Sequence, residues 1–428
     1  MSTETLNERR DRVFGAGAPL FYKNPIQLVR GEDVWLFGAD GRRYLDMYNN
    51  VPCVGHCHPK VVEAMSKQAA TLNVHSRYLH DGVLDFAERL IGLHADPLEN
   101  IVFACSGTEA VEVAVTMARA YTGKRGIICT NATYHGNSTE IRKLSGVPLA
   151  GLPADAEVRS IPFPQRYRPI EEDLTEELLA EKYVQAVDAA IAAFADGDVP
   201  FAGMIVCSLC ANEGLPDIPT GFMATAAEHV RAAGGVFMAD EVQAGYGRSG
   251  RWWGYEVSEF VPDIAIMGKP MGNGFPLSAT VARRDIVEAF RRRGYFNTFA
   301  SSPVQAAVGN AVIDVIETQG LIDSVAEVGQ YLKTSIQQIA ENHAKMGDVR
   351  GHGLFVGIDW VADPDTREPD RKGARVIVNQ MKDKGFLFGA AGQNGNVLKL
   401  RPPLTFRREH ADAFLSEFQA CVEAIDAD

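Results

Sequence analysis

Residues 264–274 read IAIMGKPMGNG, an apolar run that ends at a lysine inside a loop with three glycines. The run is continuous in Ile, Ala and Met, as expected of a strand that is covered on both faces. Lys269 therefore follows a buried strand, which is an unusual place for a strongly hydrated ammonium group. Burial lowers the pKa of a lysine and would supply the neutral amine that forms an imine. A lysine at a surface turn is the alternative, and the apolar run before it makes that the poorer interpretation.

Similar apolar runs lie on either side of this segment, separated by helical patterns. The predicted strands are residues 101–105, 127–129, 204–207, 236–239, 264–267 and 277–281, and the predicted helices include 60–72, 108–121 and 220–233. Strands that alternate with helices predict a large α/β domain built on a mainly parallel sheet.

The end of the chain has a different character. Strand-like segments at 354–360 and 397–400 flank a helix over about 374–384, and a second helix follows them. We therefore predict an N-terminal segment (1–60) that contributes to a small domain, a large domain (61–325) and a small α+β domain (326–428).

Charge and composition exclude several classes of protein. The formal net charge of −13 argues against a nucleic-acid partner, because no net basic field exists to replace condensed counterions. We interpret three arginines at 291–293 as a solvated helix C-terminus. No apolar run approaches the roughly 18 residues of a membrane span. The N-terminus resembles neither a signal nor a transit peptide, and seven cysteines without a small-domain framework suggest reduced thiols. We expect a cytoplasmic enzyme.

Residues 105–110, CSGTEA, join a predicted strand to a predicted helix. Open α/β sheets place ligands at such strand ends. Gly107 allows close backbone approach, and the helix start with the Ser106 and Thr108 hydroxyls could hold a phosphate. A simple N-cap role for either hydroxyl is the more common case.

Residues 236–243, VFMADEVQ, form an apolar strand that ends in a carboxylate. A buried anion at Asp240 can keep a pyridine nitrogen protonated, and the cationic ring then withdraws electrons from a substrate carbanion. Val242 can pack on one ring face and Gln243 can reach the ring hydroxyl. Tyr134, in the segment Tyr134-His135-Gly136, can stack on the opposite face. When residues 236–243 are considered alone, a metal-binding or structural role for Asp240 agrees with the pattern about equally well.

Together these segments resemble the class III pyridoxal-phosphate aminotransferases of fold type I. The resemblance runs from DGRRYLD (40–46) to RPPL (401–404), and DEVQAGYGRSG (240–250), GKPMGNGFP (268–276) and NTFASSP (297–303) are its most specific parts. It implies an α/β fold with a mainly parallel seven-stranded sheet and a smaller α+β domain. It also implies pyridoxal 5′-phosphate as cofactor and a homodimer with shared active sites, or a tetramer made of a pair of such dimers.

The resemblance assigns roles to individual residues. Lys269 would hold the cofactor as a Schiff base and carry the proton, and Asp240 would pair with the ring nitrogen. Thr298 would reach the cofactor phosphate of the neighbouring subunit. Arg401 would anchor a substrate carboxylate, since a planar guanidinium suits bidentate binding; a surface ion pair is the alternative. The residues assigned to the cofactor are Ser106, Gly107, Thr108, Tyr134, His135, Asp240, Val242, Gln243, Lys269 and Thr298.

The chain departs from the family pattern at residues 207–214, CSLCANEG, where members commonly have Glu-Pro. A glutamate that pairs with the carboxylate-binding arginine in some members aligns with Asn212, which leaves the gating of Arg401 open. Cys207 and Cys210 have C-x-x-C spacing without a second pair, and we interpret them as buried apolar residues. Two cysteines and two histidines at 53–58 are too crowded for tetrahedral ligation, so no metal is predicted.

Three functions compete. Residues 49–59 and 76–81 look most like a branch that contains alanine–glyoxylate aminotransferases and phospho-lyases. The leading prediction is an aminotransferase that moves an amino group from an amine or ω-amino acid to a 2-oxo acid such as pyruvate, glyoxylate or 2-oxoglutarate. The alternative is a phospho-lyase acting on an amine such as phosphoethanolamine; Arg401 counts against it, because animal phospho-lyases carry lysine there. A non-catalytic binding protein is disfavoured, since Lys269 and Asp240 are intact.

Overall fold

The computed structural model describes residues 5–145, 155–195 and 197–426. Its strands are β1 (Leu28–Glu32), β2 (Trp35–Gly38), β3 (Arg43–Asp46), β4 (Asn100–Ala104), β5 (Gly126–Thr130), β6 (Val158–Ile161), β7 (Phe201–Cys207), β8 (Val236–Asp240), β9 (Ile264–Met267), β10 (Ser278–Ala282), β11 (Met346–His352), β12 (Phe355–Asp363), β13 (Glu368–Pro369), β14 (Phe386–Leu387), β15 (Gly389–Ala391) and β16 (Val397–Leu400).

The helices predicted at 60–72, 108–121, 220–233 and about 374–384 are present, with each end within three residues of its predicted position. The α-helices are α1 (Leu6–Phe14), α2 (Pro59–Thr71), α3 (Asp81–Gly92), α4 (Gly107–Thr122), α5 (Glu176–Ala195), α6 (Phe222–Ala232), α7 (Gly254–Val257), α8 (Arg284–Arg291), α9 (Pro303–Thr318), α10 (Leu321–Ala340), α11 (Arg371–Lys384) and α12 (Arg408–Asp426). Gly385 ends α11 with φ +98°, a left-handed conformation that glycine adopts without steric cost. The arginines at 291–293 lie at the exposed end of α8, as predicted.

The central sheet has seven strands in the order β4-β10-β9-β8-β7-β5-β6. Its neighbours are parallel except at β10, which runs antiparallel to both β4 and β9. Every residue of β5, β7, β8, β9 and β10 is buried, because helices cover both faces of the sheet. The predicted α/β fold is confirmed, and each of the six predicted strands is present, with no end more than three residues from its predicted position.

Two smaller sheets hold the rest of the strands. One has the order β1-β2-β3-β14, and the other has the order β11-β12-β16-β15 with β13 paired to β12. Since β14 pairs with β3 through Phe386 and Leu45, the N-terminal segment joins the C-terminal part of the chain, as expected. The domain boundaries themselves stay a prediction. Across the described ranges, none of the helices has the length and apolar character needed to cross a membrane.

Candidate functional site

Three of the predicted site segments meet at the carboxyl edge of the central sheet. Parallel pairing of β7, β8 and β9 places the ends of these strands together, with Cys207 opposite Asp240 and Asp240 opposite Ile266. A Cβ atom on Gly107 would lie 3.0 Å from Val242 Cγ1, and one on Gly268 would lie 3.3 Å from the Gly107 Cα. One cradle is therefore formed by the start of α4, the end of β8 and the loop that contains Lys269. Side chains larger than glycine at positions 107 and 268 would fill it.

Lys269 lies in this cradle, mostly buried. Burial lowers the pKa of its amine, the charge of Arg401 acts in the same direction, and Asp240 opposes them. Within the described residues Lys269 makes no hydrogen bond or ion pair, so none of those residues holds its amine in place. A lowered pKa increases the neutral fraction near pH 7, which is the form that attacks a carbonyl.

Asp240 is buried and firmly oriented. Its Oδ2 lies 2.6 Å from His135 Nδ1, and its Oδ1 accepts a hydrogen bond from the Val242 backbone N–H at 3.0 Å. The other nitrogen of His135, Nε2, lies 3.1 Å from Thr133 Oγ1. Both nitrogens of His135 thus have a hydrogen-bond partner, and the histidine holds the Asp240 carboxylate in its orientation.

The start of α4 has the properties of a phosphate cradle. Ser106 is the N-cap and accepts a hydrogen bond from the Glu109 N–H at 3.2 Å, so its hydroxyl has the capping role considered as the alternative. The Thr108 hydroxyl lies 3.1 Å from Asn137 Oδ1. A Cβ on Gly136 would lie only 2.9 Å from the Thr108 oxygen, so the backbone approaches closely here. The residues present fit a phosphate at this helix start.

A second polar pocket adjoins Lys269 and contains two buried cations. Lys399 is 3% exposed and Arg401 is 7% exposed. The amide oxygen of Gln243 accepts hydrogen bonds from both, from the Lys399 ammonium at 3.3 Å and from the Arg401 guanidinium. Gln243 Nε2 donates to Asn212 Oδ1 at 3.0 Å. Gln243, the residue predicted to reach the ring hydroxyl, thus connects the two cations.

Neither cation has a carboxylate partner among residues 5–145, 155–195 and 197–426. Arg401 Nε donates to the Tyr48 carbonyl at 2.7 Å, and Lys399 donates to the Ala211 carbonyl at 2.5 Å. The nearby Glu213 instead accepts a hydrogen bond from the Thr130 hydroxyl at 2.6 Å. Buried charges without an internal counter-ion are costly unless a ligand supplies one. The pocket is therefore suited to an anion, and the surface-ion-pair alternative for Arg401 is excluded.

Lys399 was not predicted from the sequence as a site residue. The signal is the strand VLKL of β16, in which every position is buried although one is a lysine. Lysine is almost never fully buried without a functional or structural partner. Cys207 and Cys210 are buried thiols whose pKa values are raised by burial, in agreement with their interpretation as apolar residues.

Two further predicted residues are exposed. Tyr134 lies in the loop after β5, where its carbonyl accepts a hydrogen bond from Asn212 Nδ2 at 3.1 Å. Thr298 lies in the loop before α9, next to Phe299, which is 79% exposed. Neither position contradicts the predicted role.

Known proteins resemble this chain in both sequence and fold. A profile of the family described as aminotransferase class-III matches residues 20–422. The Drosophila melanogaster protein named alanine–glyoxylate aminotransferase 2-like is 38% identical over 435 residues, covering 99% of this chain and 87% of that protein. The Caenorhabditis elegans protein named ethanolamine-phosphate phospho-lyase homolog 1 is 35% identical, covering 96% of this chain and 91% of that protein.

A solved structure extends this comparison to three dimensions. It is a phospholyase from Arthrobacter in complex with phosphoethanolamine, with a TM-score of 0.94 and 38% identity. The match covers 98% of this chain and 100% of that chain. The family profile, the relatives and the cradle for a phosphate beside Lys269 agree. The chain belongs to the class-III aminotransferase family and is a pyridoxal 5′-phosphate-dependent enzyme.

Proposed function

We propose that this enzyme eliminates phosphate from a small O-phosphorylated amine of the phosphoethanolamine class. The observation that carries the proposal is the pair of buried cations beside Lys269, namely Lys399 and Arg401, for which the described residues provide no carboxylate partner. A phosphate monoester carries about −1.5 to −2 charges near neutral pH, which matches two cations. The single carboxylate of a simple 2-oxo acid matches only one. The Arthrobacter phospholyase with bound phosphoethanolamine supports the same substrate class.

The sequence alone favoured transamination because position 401 is arginine. Lys399 changes that argument, since its ammonium group and the Arg401 guanidinium both donate to the same oxygen, that of the Gln243 amide. The pocket contains a lysine as well as an arginine, so arginine at position 401 does not discriminate against a phosphate ester. Asn212, in place of a glutamate, leaves both positive charges available to the substrate.

In the proposed reaction a few side chains have separate roles. When bound, pyridoxal phosphate supplies the electron sink for a carbanion at the substrate Cα. Asp240, oriented by His135, would keep the ring nitrogen protonated. Lys269 would hold the cofactor and accept the Cα proton as a general base. Lys399 and Arg401 would hold the phosphate. Its oxygens would replace the Gln243 amide oxygen as the acceptor of the hydrogen bonds that these two residues donate.

Transamination is the second candidate. The observation in its favour is Arg401, whose guanidinium lies 4.2 Å from the centre of the Tyr48 ring and is positioned to bind a carboxylate. The similarity to the alanine–glyoxylate aminotransferase 2-like protein is consistent with it. The amino donor and the 2-oxo acid would then be the two substrates.

Incubation of the purified enzyme with phosphoethanolamine separates the two functions. We expect one inorganic phosphate, one ammonia and one acetaldehyde per substrate consumed, without any added 2-oxo acid. Phosphate is measured colorimetrically and acetaldehyde by a coupled dehydrogenase. A panel of amines with pyruvate or glyoxylate serves as the comparison. Amine-dependent conversion of the 2-oxo acid, with no phosphate released from phosphoethanolamine, would establish the transaminase instead.

Thr298 tests the proposed homodimer. If its hydroxyl binds the cofactor phosphate of the neighbouring subunit, Thr298→Ala should weaken cofactor binding about 10- to 150-fold, the effect of losing a hydrogen bond to a charged group at about 1.5–3 kcal/mol. Thr298→Ser should retain affinity because it keeps the hydroxyl. Affinity is measured by titrating the apoenzyme, and the oligomeric state by sedimentation. Equal affinity of the alanine variant and the wild type would exclude this role.

A further inference from the structure

We infer that Lys399 is the general acid that gives a proton to the departing phosphate. This inference rests on the proposed elimination and deepens it, because it assigns a catalytic step to a residue of the anion pocket. It follows from the position of Lys399, from the absence of an acidic partner among the described residues and from the chemistry that distinguishes lysine from arginine.

Lys399 is enclosed by charged and polar groups from several elements. The groups that influence its ammonium are Arg401, Lys269, Cys207 and Glu213. Its hydrogen bonds go to two neutral oxygens, of Ala211 and of Gln243, and the Phe355 ring centre lies 5.2 Å from the nitrogen. Its proton is therefore not held in an ion pair within the described chain.

Of the two cations in the pocket, only lysine can release a proton. Arginine stays protonated in proteins, whereas lysine loses its proton when burial and neighbouring charges disfavour the cation. Burial, Arg401 and Lys269 together lower the pKa of Lys399 well below its ordinary value. Arg401 can hold the phosphate but cannot protonate it.

Several other groups near the pocket already have a role or a hydrogen-bond partner. Lys269 is needed as the base at the substrate Cα, and both nitrogens of His135 are hydrogen-bonded. The Tyr22 hydroxyl donates to the Phe388 carbonyl, and burial raises the pKa of this tyrosine. Burial also raises the pKa of the Cys207 thiol. Lys399 carries a labile proton and belongs to the pocket that would hold the phosphate.

The step balances without an oxidant or reductant. The Cα–H bond breaks and its proton passes to Lys269 Nζ. The electron pair forms the Cα–Cβ double bond while the Cβ–O bond breaks, and the bonding pair of that bond stays on the phosphate oxygen. Lys399 Nζ donates a proton to this oxygen, so phosphate leaves as the hydrogen phosphate dianion and not as the trianion. Lys399 is left neutral and regains a proton from water or from the next substrate.

The test is Lys399→Arg assayed with two esters of the same shape. In phosphoethanolamine the leaving phosphate needs a proton, whereas in 2-aminoethyl hydrogen sulfate it does not, because hydrogen sulfate is a far stronger acid. Arginine keeps the positive charge but cannot donate the proton. We expect kcat for the phosphate ester to fall about 10²–10⁴-fold, the usual contribution of general acid catalysis, with KM nearly unchanged. Turnover of the sulfate ester should stay within a few-fold of wild type.

The pH profile gives a second and independent readout. Since the acid must be protonated, wild-type kcat for phosphoethanolamine should fall as pH rises through the pKa of Lys399, and this limb should be missing in Lys399→Arg. Lys399→Met, assayed for the ratio of the two esters, replaces the arginine variant if that variant does not fold. An equal loss for both esters, or a basic limb that persists in the variant, would overturn the inference. Absence of phosphate release by the wild type would instead refute the proposed function.

Discussion

We expect Lys269→Ala to abolish catalysis, with kcat lower than that of the wild type by about 10⁴-fold or more. The substitution removes both the covalent attachment of the cofactor and the base at the substrate Cα, and each of these contributes several orders of magnitude. The purified variant should also lack the yellow absorbance of lysine-bound pyridoxal phosphate. Steady-state assays and the absorbance spectrum are the two measurements.

Lys399→Met is the matched control for this experiment, because the two lysines are both buried in the same region. It should retain the absorbance of lysine-bound cofactor, since the assignment gives that attachment to Lys269 alone. Substantial steady turnover by Lys269→Ala would contradict the assignment. Loss of the absorbance in Lys399→Met, with retention in Lys269→Ala, would exchange the two roles.

The sequence predicted much of the site because parallel strands bring their carboxyl ends to one edge of the sheet. Asp240 and Lys269 follow continuous apolar runs, so both strands and their ends could be located from hydrophobicity alone. The strand β6 was missed because it is short and polar, reading VRSI at the edge of the sheet, and three of its four residues are not fully buried. Edge strands of this kind do not carry the apolar signal of central strands.

The anion pocket could not be predicted, because it depends on which acids lie near which cations. Arg350 and Arg401 are both buried arginines near the small sheets. Arg350 pairs with Asp348 at 2.6 Å and with Asp359 at 3.0 Å, whereas Arg401 has no acid partner in the described chain. Asp359 reaches Arg350 only through the pairing of β11 with β12. Local sequence therefore cannot distinguish an arginine that forms a structural ion pair from one that binds a ligand.

Arg401→Ala should lower kcat/KM for phosphoethanolamine about 30- to 5,000-fold, since loss of one partner from a buried charged contact costs about 2–5 kcal/mol. Most of the change should appear in KM, because Arg401 holds the phosphate throughout and moves no proton. Arg401→Lys should lose less, as it keeps the charge and lacks only the forked geometry. Arg291→Ala, at the exposed end of α8, is the control and should be neutral.

A substrate without an anion separates binding from chemistry. Propylamine cannot use the pocket, so its reaction with the bound cofactor, followed by absorbance, should be nearly the same in Arg401→Ala and wild type. Undiminished kcat/KM for phosphoethanolamine in the variant would remove Arg401 from the phosphate site. If the variant instead loses only amino transfer to pyruvate or glyoxylate and keeps its phosphate release, Arg401 binds a carboxylate and Lys399 alone holds the phosphate. Because Lys399 and Arg401 donate to the same Gln243 oxygen, the double variant would then be expected to lose both activities.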